Sequence, residues 1–112
     1  MDESTHYRIL KHIQDNPRIT QRELARKTGF SLGKVNYCLH ALMDKGLVKA
    51  SNFRNAKNRM AYAYKLTPRG IEEKIRVTGR FLKIKIKEYE ELKAEIEALQ
   101  KDTQSAGHEA DF

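Results

Sequence analysis

Apolar residues recur at helical spacing in three separate runs between residues 1 and 45 of the chain. The first run ends at Asn16-Pro17, where the proline disfavours continuation of a helix, and Ser4 or Thr5 is suited to cap its start. Its apolar positions are Tyr7, Ile9, Leu10 and Ile13. This pattern predicts a first amphipathic helix.

The second and third runs are separated by a very short turn. Thr20 and Glu23 have the spacing of a capping box, which predicts the start of a second helix that ends at Thr28-Gly29. Ser31 is then suited to cap a third helix, predicted over 32–45. Two helices joined by so short a turn indicate a helix-turn-helix.

The spacing of large residues changes to a period of two after the third helix. Segments 47–53 and 61–66 are rich in β-forming residues, and the segment between them, 54–59, has turn-forming asparagines. Within the second segment, the alternating large residues are Tyr62, Tyr64 and Leu66. A helix, a helix-turn-helix and a hairpin in this order predict a winged-helix domain over residues 1–67.

A fourth helix is predicted to start at Thr67-Pro68, because proline is well tolerated at the first helical position. The helix is expected over 68–101, and the polar, patternless segment 102–112 is expected to be a disordered tail. The predicted fold is therefore mainly α-helical with a small β-hairpin, a winged helix-turn-helix followed by a long C-terminal helix.

The fourth helix also carries a heptad repeat, which is imperfect at Thr78 and Lys85. Ile71 occupies the seam at its start. We predict that the other apolar seam positions form dimer contacts, and these are Ile75, Leu82, Tyr89, Leu92, Ile96 and Leu99. A strict coiled coil and packing within a broader helical dimer core are both compatible with this pattern.

The direction of pairing is suggested by charge. Between residues 74 and 87 the charged side chains are all basic, whereas residues 88–97 carry five glutamates and one lysine. An antiparallel pair, with its twofold axis near Lys87 and Glu88, sets the basic half against the acidic half. Charge pairing within one helix, with the basic half lying near DNA, is the alternative explanation.

The net charge of the chain is concentrated in one short segment. Residues 45–71 hold seven Lys or Arg and no Asp or Glu, which equals the whole formal net charge of +7. Three of these cations lie at the tip of the hairpin: Arg54, Lys57 and Arg59. Such one-sided charge is typical of contact with nucleic-acid phosphates.

The third helix has side chains on its outer face that a solvated helix does not need. A helical projection places the core side at Leu32, Val35, Leu39, Leu42 and Met43. The opposite side holds Gly33, Lys34 and Tyr37, with Asn36 and His40 at one edge and Cys38 at the other. Long polar side chains reach base edges in a major groove, and a small residue lets the helix backbone approach DNA.

Other residues are placed to contact the DNA backbone. Ser31 is suited both to cap the third helix and to touch phosphate, and Gln21 and Arg22 to hold the flanking strand. We interpret the protein as a homodimeric, sequence-specific regulator that binds double-stranded DNA. A solvated face, a hairpin that serves solubility, and a winged helix that binds another protein are the alternatives.

The segment ITQRELARKTGFSLGKVNYCLHALMDKGLVKASNFRNAKNRMAYAYKLTPRGIEEK resembles MarR-type winged-helix transcriptional regulators. It is most similar to the small bacterial group associated with exopolysaccharide gene clusters, and SLGKVNYCL with NFRNAKN is the most specific part. The resemblance continues through RFLKIKIKEYEELKAEIEAL and so covers most of the chain.

This resemblance implies a homodimer that binds DNA and regulates transcription. It assigns the recognition role to Ser31, Gly33, Lys34, Asn36 and Tyr37. It assigns the wing role to Arg54, Asn55, Lys57, Asn58 and Arg59. Larger MarR-type proteins have additional helices that form a ligand pocket, whereas this chain has one helix on each side, so no small-molecule effector is expected.

Other chemistry is poorly represented in the sequence. Cys38 and His40 point in different directions on a helix, and no metal-ligand spacing or cofactor motif is present. Cys38 suits a structural thiol better than a redox sensor, because the chain holds no second cysteine. We therefore expect a cytoplasmic protein that is not an enzyme and has no cofactor, metal or membrane partner.

Overall fold

The computed structural model describes residues 2–106. The elements, in chain order, are α1 (Glu3–Asp15), α2 (Gln21–Thr28), α3 (Leu32–Asp44), β1 (Val48–Arg54), β2 (Met60–Leu66) and α4 (Pro68–Ser105). This order confirms the predicted winged helix-turn-helix with a long C-terminal helix. Two compact units are present, one ending at Arg80 and the other beginning at Phe81, and each is described by itself below.

The start of α1 differs from the prediction. Asp2, not Ser4 or Thr5, is the N-cap residue, and its Oδ1 accepts a hydrogen bond of 2.7 Å from the backbone N–H of Thr5. This hydrogen bond lowers the pKa of the Asp2 carboxyl. Thr5 is itself buried, at 4% exposure, because it lies on the inner face of the first turn.

The turn between α2 and α3 forms as the local signals predicted. Thr20 Oγ1 accepts from the Glu23 N–H, and the Glu23 carboxylate accepts from the Thr20 N–H, which completes the capping box. Gly29 ends α2 in the left-handed conformation with φ of 77°, and the Ser31 side chain caps α3. These local hydrogen bonds fix the two helices of the helix-turn-helix.

The core of the first unit lies where α1, α2 and α3 meet the hairpin and the start of α4. Its members from α3 are Val35, Cys38, Leu39 and Leu42. Leu32 was expected in this core, but it is 43% exposed, so that expectation is wrong. Leu32 is the first residue of α3 and lies beside a surface groove formed with α2 and the hairpin. Cys38, expected at the edge of the helix, is only 2% exposed.

The hairpin pairs β1 and β2 as an antiparallel sheet, with Val48 opposite Leu66 and Arg54 opposite Met60. Tyr64 and Leu66 are buried, and the Tyr64 N–H also donates to the Pro17 carbonyl at 2.8 Å. The open end of the hairpin is thereby held against the link between α1 and α2. The rest of the hairpin extends to an exposed tip.

The beginning of α4 is joined closely to the start of β1. The Thr67 hydroxyl donates to the Gly46 carbonyl at 2.6 Å and accepts from the Gly70 N–H at 3.0 Å. Gly70 is buried against the Leu47 backbone, and Val77 is fully buried in the core. The first compact unit therefore includes the first turns of α4 and ends at Arg80, beyond the boundary expected at residue 67.

The second unit consists of the rest of α4. The helix continues to Ser105, so residues 102–105, which were expected in a disordered tail, are helical. Residues 107–112 of that tail lie outside the described residues. Within residues 2–106, no helix has the combination of length and apolar composition that crossing a bilayer requires.

We predict that Gly70→Ala destabilises the protein and Gly79→Ala does not. A Cβ at residue 70 overlaps the Leu47 carbonyl oxygen, whereas a Cβ at residue 79 meets no atom within 4 Å. Forced repacking at residue 70 costs about 1–3 kcal/mol. In an open helical site, alanine is more favourable than glycine by up to about 1 kcal/mol. Urea unfolding at one fixed protein concentration measures both changes.

Equal effects of the two substitutions would show that the close approach of Gly70 to Leu47 does not contribute to stability. Gly79→Ala is the matched control, because it makes the same chemical change in the same helix.

Candidate DNA-binding surface

The outer face of α3 is fully open to solvent. The six residues predicted to contact DNA from this helix and its cap are all exposed, namely Ser31, Gly33, Lys34, Asn36, Tyr37 and His40. Tyr37 is 72% exposed, although a large aromatic side chain normally buries much of its surface. Burial of the opposite face of α3 fixes the direction in which these side chains point.

Two of the predicted residues are tied into the protein by a short chain of hydrogen bonds. Asn36 Nδ2 donates to Gln21 Oε1, and Gln21 Nε2 donates to the Tyr64 hydroxyl, both at 3.3 Å. This chain connects α3, the start of α2 and β2. Gln21 and Asn36 are thus oriented before any ligand binds, and each keeps only part of its hydrogen-bonding capacity for DNA.

Lys34 lies against an aromatic ring at the edge of the surface. Its ammonium is 4.0 Å from the centroid of the Phe30 ring, and the Arg8 guanidinium carbon is 5.0 Å from the same centroid. The Arg8 side chain also donates to the Thr28 carbonyl at 2.6 Å. Two cations therefore flank one ring, which gives Lys34 a preferred position while its ammonium stays accessible.

The tip of the hairpin is built by its two asparagines. Asn55 Oδ1 accepts from the backbone N–H groups of Lys57 and Arg59 at 2.9 and 3.1 Å. Asn58 adopts the left-handed conformation with φ of 58°. Asn tolerates this conformation better than other side chains do, so the tip is a defined turn. Both asparagines have a structural role at the positions where contacts to DNA were predicted.

The three cations of the hairpin tip differ in the hydrogen bonds that they make within the protein. Arg54 donates from its guanidinium to the Asn58 carbonyl at 3.1 Å, which stabilises the turn. In the part of the chain from residue 2 to residue 106, the side chains of Lys57 and Arg59 make no hydrogen bond or ion pair and are exposed. These two cations are therefore available to an anionic partner.

A groove of about 860 Å³ lies between the start of α2, the start of α3 and the hairpin. Three arginines line it: Arg18, Arg22 and Arg59. Its apolar lining residues include Leu32, Phe53, Met60 and Tyr62. None of the described residues around the groove is acidic, so its electrostatic character matches that of the tip.

Five residues of this groove were not predicted from the sequence to lie at a functional site. Arg18 packs over the Phe53 ring with its guanidinium carbon 4.6 Å from the centroid, and these residues are far apart in the chain. Leu32, Met60 and Tyr62 are 43%, 58% and 58% exposed. Of these three, Leu32 was predicted in the core and Tyr62 only in a strand, and the sequence held no signal that would have placed them at a surface groove.

Among the described residues, Cys38 and the histidines do not add a metal site. Burial raises the pKa of the Cys38 thiol, which disfavours the reactive thiolate form. Across residues 2–106, no group of three or more His, Cys, Asp or Glu side chains is arranged to hold a metal ion. The chemistry of the described surface is therefore that of exposed cations, amides and aromatic rings.

The first part of the chain is similar to a known protein family. Residues 2–49 match a family described as winged helix-turn-helix DNA-binding. A search of curated proteins finds no match. The family match spans α1, α2, α3 and the start of β1, which includes every predicted contact residue of the third helix.

Solved structures of bacterial proteins share this fold. The transcriptional regulator PcaV from Streptomyces coelicolor, in complex with its natural ligand, is 20% identical with a TM-score of 0.67, over 97% of this chain and 76% of its own. Streptococcus pneumoniae FabT in complex with DNA is 21% identical with a TM-score of 0.54, over 91% of this chain and 73% of its own.

A third structure carries the family name. The Mycobacterium tuberculosis MarR family protein Rv2887, in complex with p-aminosalicylic acid, is 21% identical with a TM-score of 0.54, over 85% of this chain and 76% of its own. Residues 2–49 thus resemble winged helix-turn-helix DNA-binding domains, and the chain has the fold of MarR-family regulators.

Proposed function

We propose that the protein is a sequence-specific transcriptional regulator that binds double-stranded DNA as a homodimer. In this proposal α3 enters the major groove and the tip at residues 54–59 lies on the backbone or in the minor groove. The observation that carries the proposal is the exposed outer face of α3 beside a hairpin without acidic residues. A DNA complex of FabT, which has this fold, supports it.

Residues on α3 would divide into base contacts and backbone contacts. Tyr37 and Lys34 are exposed and long enough to reach base edges. Gly33 leaves open space at its surface, since an added Cβ meets no atom within 4 Å, and this space lets DNA approach the helix. Asn36 is held by Gln21 at the edge of the face, which suits contact with the backbone.

Backbone contacts would come from three parts of the first unit. Arg22 and Gln21 lie at the start of α2, Ser31 caps α3, and Lys57 and Arg59 lie at the tip. Cations in these places neutralise phosphates without reading sequence, so they add affinity and a strong dependence on salt. His40, at the other end of the outer face, is placed to extend the contact with DNA.

The homodimer would form through the apolar residues of α4. In each compact unit, α4 exposes large apolar side chains at heptad positions. Ile75 in the first unit is 68% exposed, and Leu99 in the second is 59% exposed. Exposed apolar side chains in such a repeat are usually covered by a second helix. The group associated with exopolysaccharide genes, and the expected absence of a small-molecule effector, stay predictions from the sequence.

We predict that affinity for an operator duplex falls steeply as salt rises while the sequence preference is retained. Each phosphate neutralised releases counterions, so the logarithm of the binding constant falls linearly with the logarithm of salt, with a slope of about −0.9 per phosphate. Fluorescence anisotropy with a duplex selected from random DNA, and with a scrambled duplex of the same composition, measures both properties.

Failure to bind any duplex at low salt would contradict the proposal and favour the alternative of a protein-binding winged helix. Binding of both duplexes with equal affinity would contradict only the sequence-specific part.

We predict different effects for two classes of substitution. Tyr37→Ala and Lys34→Ala remove base contacts and are expected to reduce the preference for the operator by about 1–3 kcal/mol each. Lys57→Ala removes a phosphate contact, so it should weaken all duplexes alike and reduce the magnitude of the salt slope by about 1. The same anisotropy titrations measure each variant.

Lys101→Ala is the matched control, because it removes an exposed lysine from α4 without changing the proposed DNA-binding surface. If Tyr37→Ala and Lys57→Ala had the same effect on preference and on salt slope, the assignment of the base-reading face would be wrong. Circular dichroism of each variant checks that the fold is retained.

A further inference from the structure

The second compact unit exposes an apolar seam along α4 that is interrupted at Lys85. Its apolar members fall on the two alternating heptad positions and are between 46% and 64% exposed, namely Leu82, Tyr89, Leu92, Ile96 and Leu99. Leucine and isoleucine at these positions are the residues that a paired helix normally buries. A seam of this length therefore fits a helix of matching repeat, which a second copy of this chain provides.

Lys85 is the one charged residue on this seam within the second unit. In a parallel pair each seam residue faces its own copy, so the two Lys85 ammonium groups would meet in the interface. Like charges at such a layer oppose pairing. An antiparallel pair avoids this conflict, because each seam residue then faces a different residue of the partner helix.

The heptad positions select one antiparallel register. When Leu82 faces Leu92 of the second copy, Lys85 faces Tyr89, and the twofold axis lies at the level of Lys87. Leu82 and Leu92 then pack against each other across the interface. The Lys85 stem packs on the tyrosine ring and its ammonium leaves the seam toward solvent.

The charges outside the seam favour the same direction. From Lys83 to Lys87 the charges are all basic, and from Glu88 to Glu97 they are acidic except for Lys93. An antiparallel pair places each basic segment beside the acidic segment of the other copy. A parallel pair places segments of the same charge beside each other. The sum of these interactions favours antiparallel pairing at low salt.

Pairing of charges within a single helix does not account for this segregation. Among the described residues from Phe81 onward, the only ion pair joins Lys85 to Glu88, at 3.1 Å. Lys87 and Glu91, which have the spacing for a second pair, do not form one. The remaining charges are therefore available to a partner helix.

We infer that α4 pairs with α4 of a second copy in antiparallel orientation, with Leu82 facing Leu92 and the twofold axis at the level of Lys87. This inference rests on the homodimer of the proposed function and adds the direction and register of its contact. It also assigns Lys85 and Tyr89 to the layers nearest the axis.

Cysteine cross-linking of the full-length protein tests the register. Leu82→Cys and Leu92→Cys chains, carrying different tags, are produced separately and together, and then oxidised. Antiparallel pairing predicts that a band at about twice the 13.0 kDa monomer mass forms only when both variants are present, and that it contains both tags. The wild type is the control, because its single thiol, Cys38, is buried.

A second pair of substitutions leaves the central leucines intact. Glu88→Cys lies close to the proposed axis and should be linked to its own copy by a short bismaleimide, whereas Leu99→Cys should not. Efficient linking of Leu99→Cys or Leu92→Cys to itself would indicate parallel pairing and overturn the inference. A dimer in which none of these combinations is linked would also overturn it, because the seam would then not be the interface.

Sedimentation equilibrium separates this result from failure of the proposed function. A monomer at all concentrations contradicts the homodimer itself. A dimer with the parallel cross-linking pattern contradicts only the antiparallel register. Binding to duplex DNA is measured independently. Neither a monomer nor a parallel dimer therefore contradicts the proposed DNA-binding surface, which the anisotropy titrations test.

Discussion

Burial of one face of α3 is the constraint on which the rest of the DNA-binding surface depends. Val35, Leu39 and Leu42 are fully buried among α1, α2 and the hairpin, so α3 has no freedom to rotate about its axis. Their burial contributes about 1.5–3 kcal/mol for each side chain. Because the helical period is fixed, anchoring this face also fixes the outward direction of Lys34 and Tyr37.

Polar contacts then position the surrounding elements around α3. The chain from Asn36 through Gln21 to Tyr64 links three elements at the edge of the surface. On the other side of the unit, Thr67 joins the end of α3 to the start of α4 by hydrogen bonds to Gly46 and Gly70. The Gln21–Tyr64 and Gly70–Thr67 hydrogen bonds are partly buried, so they satisfy groups that would otherwise be left unpaired.

The same chain separates two surfaces of different chemistry. The first unit gathers cations beside α3 and at the hairpin tip, where an anionic duplex is proposed to bind. The second unit exposes apolar residues along α4, where a second copy is proposed to pack. Exposed apolar area of this kind is unfavourable in water, and dimerisation would remove it.

The sequence by itself determined the helices, the capping box at Thr20 and Glu23, the hairpin and the exposed charge, because these depend on residues close together in the chain. Tertiary structure decided the burial of Gly70 and the groove formed by Arg18, Leu32 and Tyr62. The approach of Gly70 to Leu47 and of Arg18 to Phe53 joins residues distant in sequence. Periodicity and local signals carry no information about such contacts, so only the packed fold specifies them.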